Sequence, residues 1–538
     1  MAPGKEAPFL CEYRKGRFTA ALAYLRQGQS VSSPADKVTL AELLQLTGDN
    51  PSAKDLCASV LRTKGPERAV EYRAQEVMGA IAIDEGRVQS AKEHLTRGLY
   101  LAQEVKDLLG VCRLQLRLVP TLSELEGPSS VAPLSSEVRR NVLRSGDPHL
   151  LALLHLRFAQ LEAKSGLLEM AWRHLESGWR LVENSPSYWI DGLLSLDASS
   201  VASMNSEFHS ARELATRALR CAEQSGHART AAAALSNLCV LALQDGDLAG
   251  AEYFADRAMP LASRFESIRA SLLDTVAQVA LLQGNHDRAG MLLDDVDSWL
   301  ARRPDLSQSW LVLSIFLTRV RLMKRHARWQ EAVQTCDRAV ALADARRDSY
   351  LGVLFRATKA DLLAIMGMTD DAQAAVSEIE TKVPTPPLAI LAEVERVKGR
   401  LAAKFGEAAR SIEHIRRAGR IVNSAGSEWG RRDVRESARE ILDNLALHDG
   451  KEARLEALPA LSDLAGLGAQ FRGTLRGTRR AARRGSRRFA LEKSRSRCTL
   501  APVRVSLLGL GLDSRQFAPS LRPSLRPTSI VTRKPTGR

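Results

Sequence analysis

A short pattern recurs along most of this 538-residue chain and restricts it to a small set of folds. The pattern is glycine, a usually apolar residue two positions later and alanine three positions after that, as in Gly246, Leu248 and Ala251. From Gly166 onward, successive copies begin 40, 40, 38, 43, 40 and 36 residues apart. A period of about forty residues is typical of repeats that stack into a solenoid. The copies begin at Gly16, Gly48, Gly86, Gly166, Ser206, Gly246, Gly284, Ala327, Gly367 and, more weakly, Ala403, with a degraded copy around Gly127.

Each copy predicts two helices joined by a tight turn. Apolar residues at spacings of three and four precede and follow the turn, as in amphipathic helices. The glycine suits a left-handed residue that ends the first helix, and Asp247 suits the cap of the second. The recurrent alanine predicts a close crossing, because two helices approach to about 8 Å only where the contact residue is small.

Two further columns of residues support that crossing. Seven residues before the turn most copies have a small side chain, which predicts the partner of the alanine. Nine residues after the turn most copies have an apolar side chain, which predicts the core between neighbouring pairs. The first column is Ala41, Gly79, Ala159, Ser199, Cys239, Ala277 and Ala360, with Val320 and Arg396 as exceptions, and the second is Leu95, Leu175, Ala215, Ala255, Leu293, Cys336, Val376 and Ile412.

These columns resemble tetratricopeptide repeats over roughly residues 10–420. The resemblance implies an all-α fold, a right-handed superhelical solenoid of about ten to eleven antiparallel helix pairs. The period exceeds the usual length of about thirty-four residues and the usual proline at repeat ends is missing, which implies lengthened helices or loops. We expect the repeat array in residues 1–425, a capping helix and linker in 426–470, and a disordered Arg-rich tail in 471–538. Such long-period arrays are similar to the sensor regions of bacterial signalling proteins and transcription regulators.

The basic charge of the chain is concentrated at its C-terminal end. Residues 471–538 contain 16 Arg and 2 Lys against Glu492 and Asp513, so the other 470 residues contribute −1 to the formal net charge of +15. One interpretation of this composition is a nucleic-acid arm held by phosphate contacts. A disordered extension and a tail translated out of frame, from a gene for a multidomain transcription regulator, are the alternatives. The candidate nucleic-acid residues are Arg479, Arg480, Arg483, Arg484, Arg487 and Arg488.

The sequence contains no motif for phosphate, metal or nucleophilic chemistry. The P-loop, H-E-x-x-H and G-x-S-x-G patterns are missing, and the ten histidines are dispersed. Acidic pairs such as Asp294-Asp295 fit solvated helix surfaces. We therefore expect a chain that is not an enzyme and that uses no cofactor and no metal.

The first helices of the pairs are expected to line a concave groove, where a protein or peptide partner would bind. The basic residues in 321–325 predict a patch that pairs with a carboxylate, although a solvated face fits equally well. Trp172 and Trp179 lie seven apart and allow an aromatic platform, but packing between repeats is the favoured interpretation. The candidate groove residues are Gln160, Asp274, Gln278, Arg321, Lys324, Arg325 and Asp361.

The sequence favours a non-catalytic protein- or peptide-binding scaffold or sensor in cytoplasmic signalling or transcription regulation. The alternative is a nucleic-acid-associated regulator that uses the basic tail. The N-terminus lacks a signal-peptide pattern, and the longest apolar stretch is too short to span a membrane. The seven cysteines are scattered, which favours a reduced, cytoplasmic protein. The sequence leaves the oligomeric state open.

Overall fold

The computed structural model describes residues 8–28, 33–63, 65–306, 309–383 and 385–448. In these ranges the chain forms 23 α-helices, two 3-10 helices (Pro128–Val131 and Pro304–Leu306) and no strand, which confirms the all-α prediction. The α-helices are α1 Pro8–Arg14, α2 Phe18–Gly28, α3 Pro34–Leu46, α4 Asn50–Leu61, α5 Arg68–Asp84, α6 Val88–Glu104, α7 Leu108–Glu126, α8 Ala132–Ser145, α9 Pro148–Lys164, α10 Leu168–Asn184, α11 Tyr188–Met204, α12 Phe208–Ser225, α13 Ala228–Asp245, α14 Leu248–Ala262, α15 Glu266–Leu282, α16 His286–Ala301, α17 Trp310–Arg325, α18 Trp329–Arg346, α19 Ser349–Met366, α20 Thr369–Lys382, α21 Leu388–Lys404, α22 Ala408–Ala425 and α23 Glu428–His448.

Helices α1 to α22 form eleven consecutive antiparallel pairs, as the repeat predicts, and α23 follows the last pair. Every turn within a pair contains a residue with positive φ, between 54° at Ala327 and 92° at Gly127. Glycine adopts this conformation without the steric cost that a Cβ adds. The right-handed sense of the superhelix stays a prediction. The eleven turn residues are Gly16, Gly48, Gly86, Gly127, Gly166, Ser206, Gly246, Gly284, Ala327, Gly367 and Gly406.

The predicted crossing of small residues is present within the pairs. Cys239 Sγ lies 3.2 Å from the carbonyl oxygen of Ala251 on the second helix of its pair. A Cβ added to Gly79 would lie only 2.7 Å from Leu95 Cδ2. Larger side chains at these positions would separate the helices. The alanines of the repeat pattern that have no exposed surface are Ala21, Ala53, Ala91, Ala171, Ala211, Ala251, Ala289, Ala332 and Ala372.

The tenth copy of the repeat begins at Gly406, three residues later than predicted. Gly406 has a φ of 74°, whereas Phe405, the predicted apolar residue of this copy, is 61 % exposed. In the corrected register Ser411 takes the place of the crossing alanine, and its hydroxyl donates to the Gly399 carbonyl at 2.7 Å. The prediction was wrong because serine replaces alanine at the crossing, so the pattern matched better at Ala403.

Helix α23 packs against α21 and α22 after the last pair. Its buried face consists of Trp429, Val434, Ala438 and Ile441. These residues pack against the last pair, and a capping role for α23 stays a prediction. The remainder of the predicted cap and linker, residues 449–470, lies outside the described residues.

Successive turns of the superhelix contact each other directly. Arg346 Nη2 donates to the Ser123 carbonyl at 2.9 Å, and Ser427 Oγ donates to Gln244 Oε1 at 2.9 Å. These partners are 223 and 183 positions apart in the sequence. One superhelical turn therefore takes about five repeats. These contacts join neighbouring turns of the superhelix.

Replacing Gly127 with alanine tests the contact between turns. The added Cβ would lie 2.6 Å from the Arg346 carbonyl oxygen, at a φ of 92°. Gly146→Ala is the control for a positive φ without a contact, because its φ is 65° and no atom lies within 4 Å of the added Cβ. We expect Gly146→Ala to lower the free energy of unfolding by about 1–2 kcal/mol, and Gly127→Ala to lower it by about 2 kcal/mol more. Urea unfolding followed by circular dichroism measures both, and equal losses would contradict the contact.

Candidate functional site

The first helices of the pairs, which are the odd-numbered ones, line three cavities. The N-terminal cavity, about 230 Å³, lies among α3, α5, α7, α9 and α11. The middle cavity, about 440 Å³, lies between the ends of α5 to α11 and the beginnings of α13 to α17. The C-terminal cavity, about 670 Å³, lies among α17, α19, α21 and α23. The two larger volumes fall in the range of about 300–1,000 Å³ that small-molecule sites occupy.

The structure distributes the predicted groove residues over two of these cavities. Gln160 lines the middle cavity. Arg321, Lys324 and Arg325 come together at the C-terminal cavity. The other three predicted residues form hydrogen bonds within the predicted group. Gln278 accepts from Arg321 and donates to Asp274, and Asp361 accepts from Lys324.

Asp361 is the centre of a buried ion cluster. Its side chain has no exposed surface and accepts from Lys324 Nζ at 2.8 Å, from Arg396 Nη2 at 3.1 Å and from Arg400 Nη1. Burial alone would raise the pKa of Asp361, but the three cations hold that pKa well below its usual range. The ammonium group of Lys324 is therefore already paired with an internal carboxylate.

Arg321 differs from the rest of the predicted basic patch. Arg325 pairs with Glu436 at 2.6 Å, whereas Arg321 forms no ion pair with any residue of the described ranges. Arg321 Nη1 donates to Gln278 Oε1 at 3.1 Å, and its guanidinium carbon lies 4.4 Å from the centroid of the Trp429 ring. This is a cation–π contact, which orients the guanidinium but leaves its charge without a carboxylate partner.

A glutamine links an arginine to an aspartate at two places on the interior. Gln278 and Gln160 each lie six residues before the turn of their pair, and each accepts from the arginine at 3.0–3.1 Å and donates to the aspartate at 2.6–3.0 Å. Burial raises the pKa of both aspartates to about 6, in spite of these hydrogen bonds. In the order arginine, glutamine, aspartate the two chains are Arg321, Gln278, Asp274 and Arg157, Gln160, Asp197.

The N-terminal cavity also contains an arginine cluster around a single carboxylate. Glu76 accepts from Arg113 at 3.2 Å and from Arg117 at 3.3 Å. Burial would raise the pKa of Glu76, but the two arginines lower it below its ordinary value. Arg157 lines both the N-terminal and the middle cavity, and burial lowers its pKa to about 10.

Sequence reasoning missed Trp429 and Arg396 as interior residues. Trp429 lies on the predicted capping helix, α23. Its contact with Arg321 joins α23 to α17, and the repeat pattern does not predict that these two helices meet. Arg396 stood out only as an exception in the column of small residues. In the corrected register it lies ten residues before Gly406, which is the position of Asp274 relative to Gly284.

Trp172 and Trp179 form an edge-to-face pair with ring centroids 6.2 Å apart. Trp172 Nε1 donates to Glu176 at 3.0 Å, and Trp179 Nε1 donates to Asp191 at 3.2 Å. Both rings are partly buried and pack against buried apolar residues of neighbouring pairs. This geometry supports packing between repeats rather than an open platform.

Three further points concern metal binding, membrane spanning and the candidate nucleic-acid residues. Within the described ranges, no group of three His, Cys, Asp or Glu side chains is placed to hold a metal ion. None of the helices in those ranges has the length and apolar character needed to cross a membrane. The candidate nucleic-acid residues Arg479, Arg480, Arg483, Arg484, Arg487 and Arg488 lie outside the described residues.

Comparisons with known proteins define the fold class. No protein-family model and no curated protein matches the sequence. A crystal structure of a Rap protein complexed with competence and sporulation factor is 13% identical, with a TM-score of 0.51 over 66% of this chain and 98% of that chain. The apo form of RapI has a TM-score of 0.38 at 12% identity, over 51% and 99%. The APC/C hetero-tetramer Cut9–Hcn1 has a TM-score of 0.41 at 12% identity, over 87% and 94%.

The chain therefore has a tetratricopeptide-type helical-repeat fold. The likeness to the Rap protein complex concerns the fold alone, since 13% of the residues are identical. The eleven helix pairs, each with a positive-φ residue in its turn, support the same fold assignment independently of the comparisons.

Asp274 and Asp361 should respond oppositely to substitution by asparagine. The pKa of Asp274 in the fold, about 6, exceeds that of an unfolded aspartate, about 3.9. The unfolded state therefore loses its proton first, and stability falls as pH rises from about 4 to 6. Asp274→Asn removes this loss, so the variant should gain about 2–3 kcal/mol relative to wild type between pH 4 and pH 7.

Asp361→Asn is the comparison variant for that experiment. It removes the partner of three buried cations and should cost about 3–5 kcal/mol at pH 7. Urea unfolding at pH 4 and pH 7, followed by circular dichroism, measures both variants. A loss of stability in Asp274→Asn at pH 7 as large as that in Asp361→Asn would contradict the opposite roles.

Proposed function

We propose that this chain is a non-catalytic binding module that takes a peptide or protein segment into the interior of its superhelix. In this proposal it acts as a sensor or scaffold in cytoplasmic signalling or transcription regulation. The observation that carries the proposal is the interior itself, in which the first helices of consecutive pairs present charged and polar side chains along three cavities.

The chemistry of the interior suits recognition better than catalysis. Its arginines, glutamines and carboxylates are held by mutual hydrogen bonds, so donors and acceptors have fixed positions before a partner arrives. Preorganised side chains lose less conformational entropy on binding than mobile ones. The peptide groups of an extended segment need such donors and acceptors.

Two observations support the regulatory setting. The six cysteines in the described ranges are free thiols, and five of them are buried, which fits a reducing compartment. The Rap protein that shares the fold is complexed with competence and sporulation factor. We propose by analogy that the present chain also receives a signal through a bound partner.

Selection of peptides on the full chain tests the proposal. A random peptide library displayed on phage should yield binders, and Arg321→Glu should weaken them at least about tenfold, because it removes a cation without an ion pair of its own. Arg257→Glu is the matched control, since Arg257 also lies over an aromatic ring, Tyr253, but outside the three cavities. Equal affinity of the wild type and both variants would count against interior binding.

Lys324 is a poorer choice for this test than the sequence indicates. Its ammonium group pairs with Asp361, so Lys324→Glu would place two carboxylates side by side in a buried position. Such a variant would lose stability whether or not Lys324 contacts a partner. Substitution of Arg321 instead leaves the Asp361 ion cluster intact, because Arg321 forms no ion pair with it.

A second candidate function is a nucleic-acid-associated regulator, and the formal charge of +16 on residues 471–538 favours it. Phosphate contacts would make such binding independent of sequence and sensitive to salt. The repeat array would then receive the signal, and the basic segment would contact DNA or RNA.

Electrophoretic mobility of a duplex DNA distinguishes the two functions. The full chain should bind duplex DNA at 50 mM salt and lose at least about tenfold in affinity at 200 mM salt, whereas a chain ending at residue 470 should bind far more weakly. Equal binding by the two chains would exclude the basic segment as the contact.

A further inference from the structure

The C-terminal cavity has an apolar wall and a charged wall. Leu317, Val320 and Leu354 contribute to the apolar part, together with the rings of Tyr350 and Trp329. The charged part comes from α17, α21 and α23. A cavity of about 670 Å³ with both walls suits a molecule that has an apolar body and a polar end.

The charged wall carries more positive than negative groups. Six cationic side chains line the cavity against the four carboxylates of Glu393, Asp433, Glu436 and Glu440. Each of these carboxylates lies within 4.0 Å of Arg325, Arg396 or Arg400. Asp361, behind the wall, neutralises the buried cations further. Among the described residues, the two lining cations without an ion pair are Arg321 and Arg439.

Arg321 is fixed in place although no carboxylate holds it. Gln278 accepts a hydrogen bond from one of its N–H groups. The guanidinium carbon lies 4.4 Å from the centroid of the Trp429 ring, which stacks on the guanidinium face. Stacking occupies the face of a guanidinium and leaves its N–H donors free at the edge. The edge of Arg321 is therefore available to an acceptor in the cavity.

Trp429 supplies a second, independent indication of a ligand. Its side chain lines the cavity and is 4 % exposed, and Nε1 has no hydrogen-bond partner within the described ranges. Buried indole N–H groups usually have an acceptor, because an unsatisfied buried donor is costly. The orphaned donor belongs to the ring on which Arg321 stacks.

We propose that the C-terminal cavity binds an organic carboxylate, whose anionic group accepts from Arg321 and Trp429 while its apolar body lies against the apolar side chains of the lining. The inference deepens the proposed function, on which it rests, by naming the chemistry of what the interior recognises. The carboxylate belongs either to a small organic acid or to an acidic side chain of a peptide. Both sources present the same group to Arg321.

Fluorine NMR of the full chain labelled with 5-fluorotryptophan tests the proposal. The seven tryptophans give seven resonances, and Trp429→Phe identifies that of Trp429. The probes are octanoate and octanamide, which have the same length and differ in charge. Octanoate should shift the Trp429 resonance in a saturable manner, and octanamide should bind at least about tenfold more weakly. Equal binding of the two probes would overturn the proposal without reference to any variant.

Two variants locate the binding group. Arg321→Gln should weaken octanoate at least about tenfold through loss of a charge-assisted hydrogen bond. Arg257→Gln, which alters the outer Arg257–Tyr253 contact, should leave octanoate affinity unchanged. Unchanged octanoate affinity in Arg321→Gln would also overturn the proposal.

A second pair of probes identifies the source of the carboxylate. N-acetyl-Leu-Glu-Leu-amide and its Gln analogue replace the two octanoyl compounds in the same titration. Preference for the Glu peptide assigns the site to acidic peptides, and preference for octanoate alone assigns it to small organic acids. If neither anion shifts the Trp429 resonance while selected peptides still bind, the carboxylate site is refuted and the proposed function stands. If octanoate binds and no peptide does, peptide binding is refuted and the carboxylate site stands.

Discussion

The close crossing of two helices at small side chains is the contact on which the rest of this structure depends. At the crossing in the eleventh pair, Ser411 donates to the carbonyl of Gly399, and in the seventh pair Cys239 contacts the carbonyl of Ala251. A side chain larger than these would push the helices apart and change the angle between them. Because a buried small residue lies at this crossing in ten of the eleven pairs, these pairs are rotated similarly on their neighbours, and the superhelix follows.

The contacts between successive turns convert this superhelix into an enclosed interior. About five repeats complete one turn, and the beginnings of later first helices lie against the turns of earlier pairs, as Ala228 does against Gly48. Enclosure removes water from the first helices, so their polar groups must satisfy one another. The ion cluster of Asp361 and the glutamine links of Asp274 and Asp197 are two solutions to that requirement.

These two solutions give the interior different electrostatic properties along its length. Asp361 has three cations within hydrogen-bond distance and stays ionised, whereas Asp274 has only a glutamine amide between itself and Arg321. Burial raises the pKa of Asp274, and Arg321 forms no ion pair with a carboxylate of the described ranges. The candidate site lies where the internal balance of charge is incomplete, next to the unsatisfied indole of Trp429.

The sequence by itself determined the helix pairs and most of their crossings, because these depend on contacts between residues about a dozen positions apart. It also placed Arg321, Lys324 and Arg325 on one inner surface, since they follow a single helix into its turn. Only the tertiary structure decided which of them is free of an ion pair. The partners Asp361, Glu436 and Trp429 come from other repeats, and one of these pairs spans 111 positions. Repeat periodicity fixes the position of each side chain within its own pair, but the pitch and radius of the superhelix bring residues of distant pairs together.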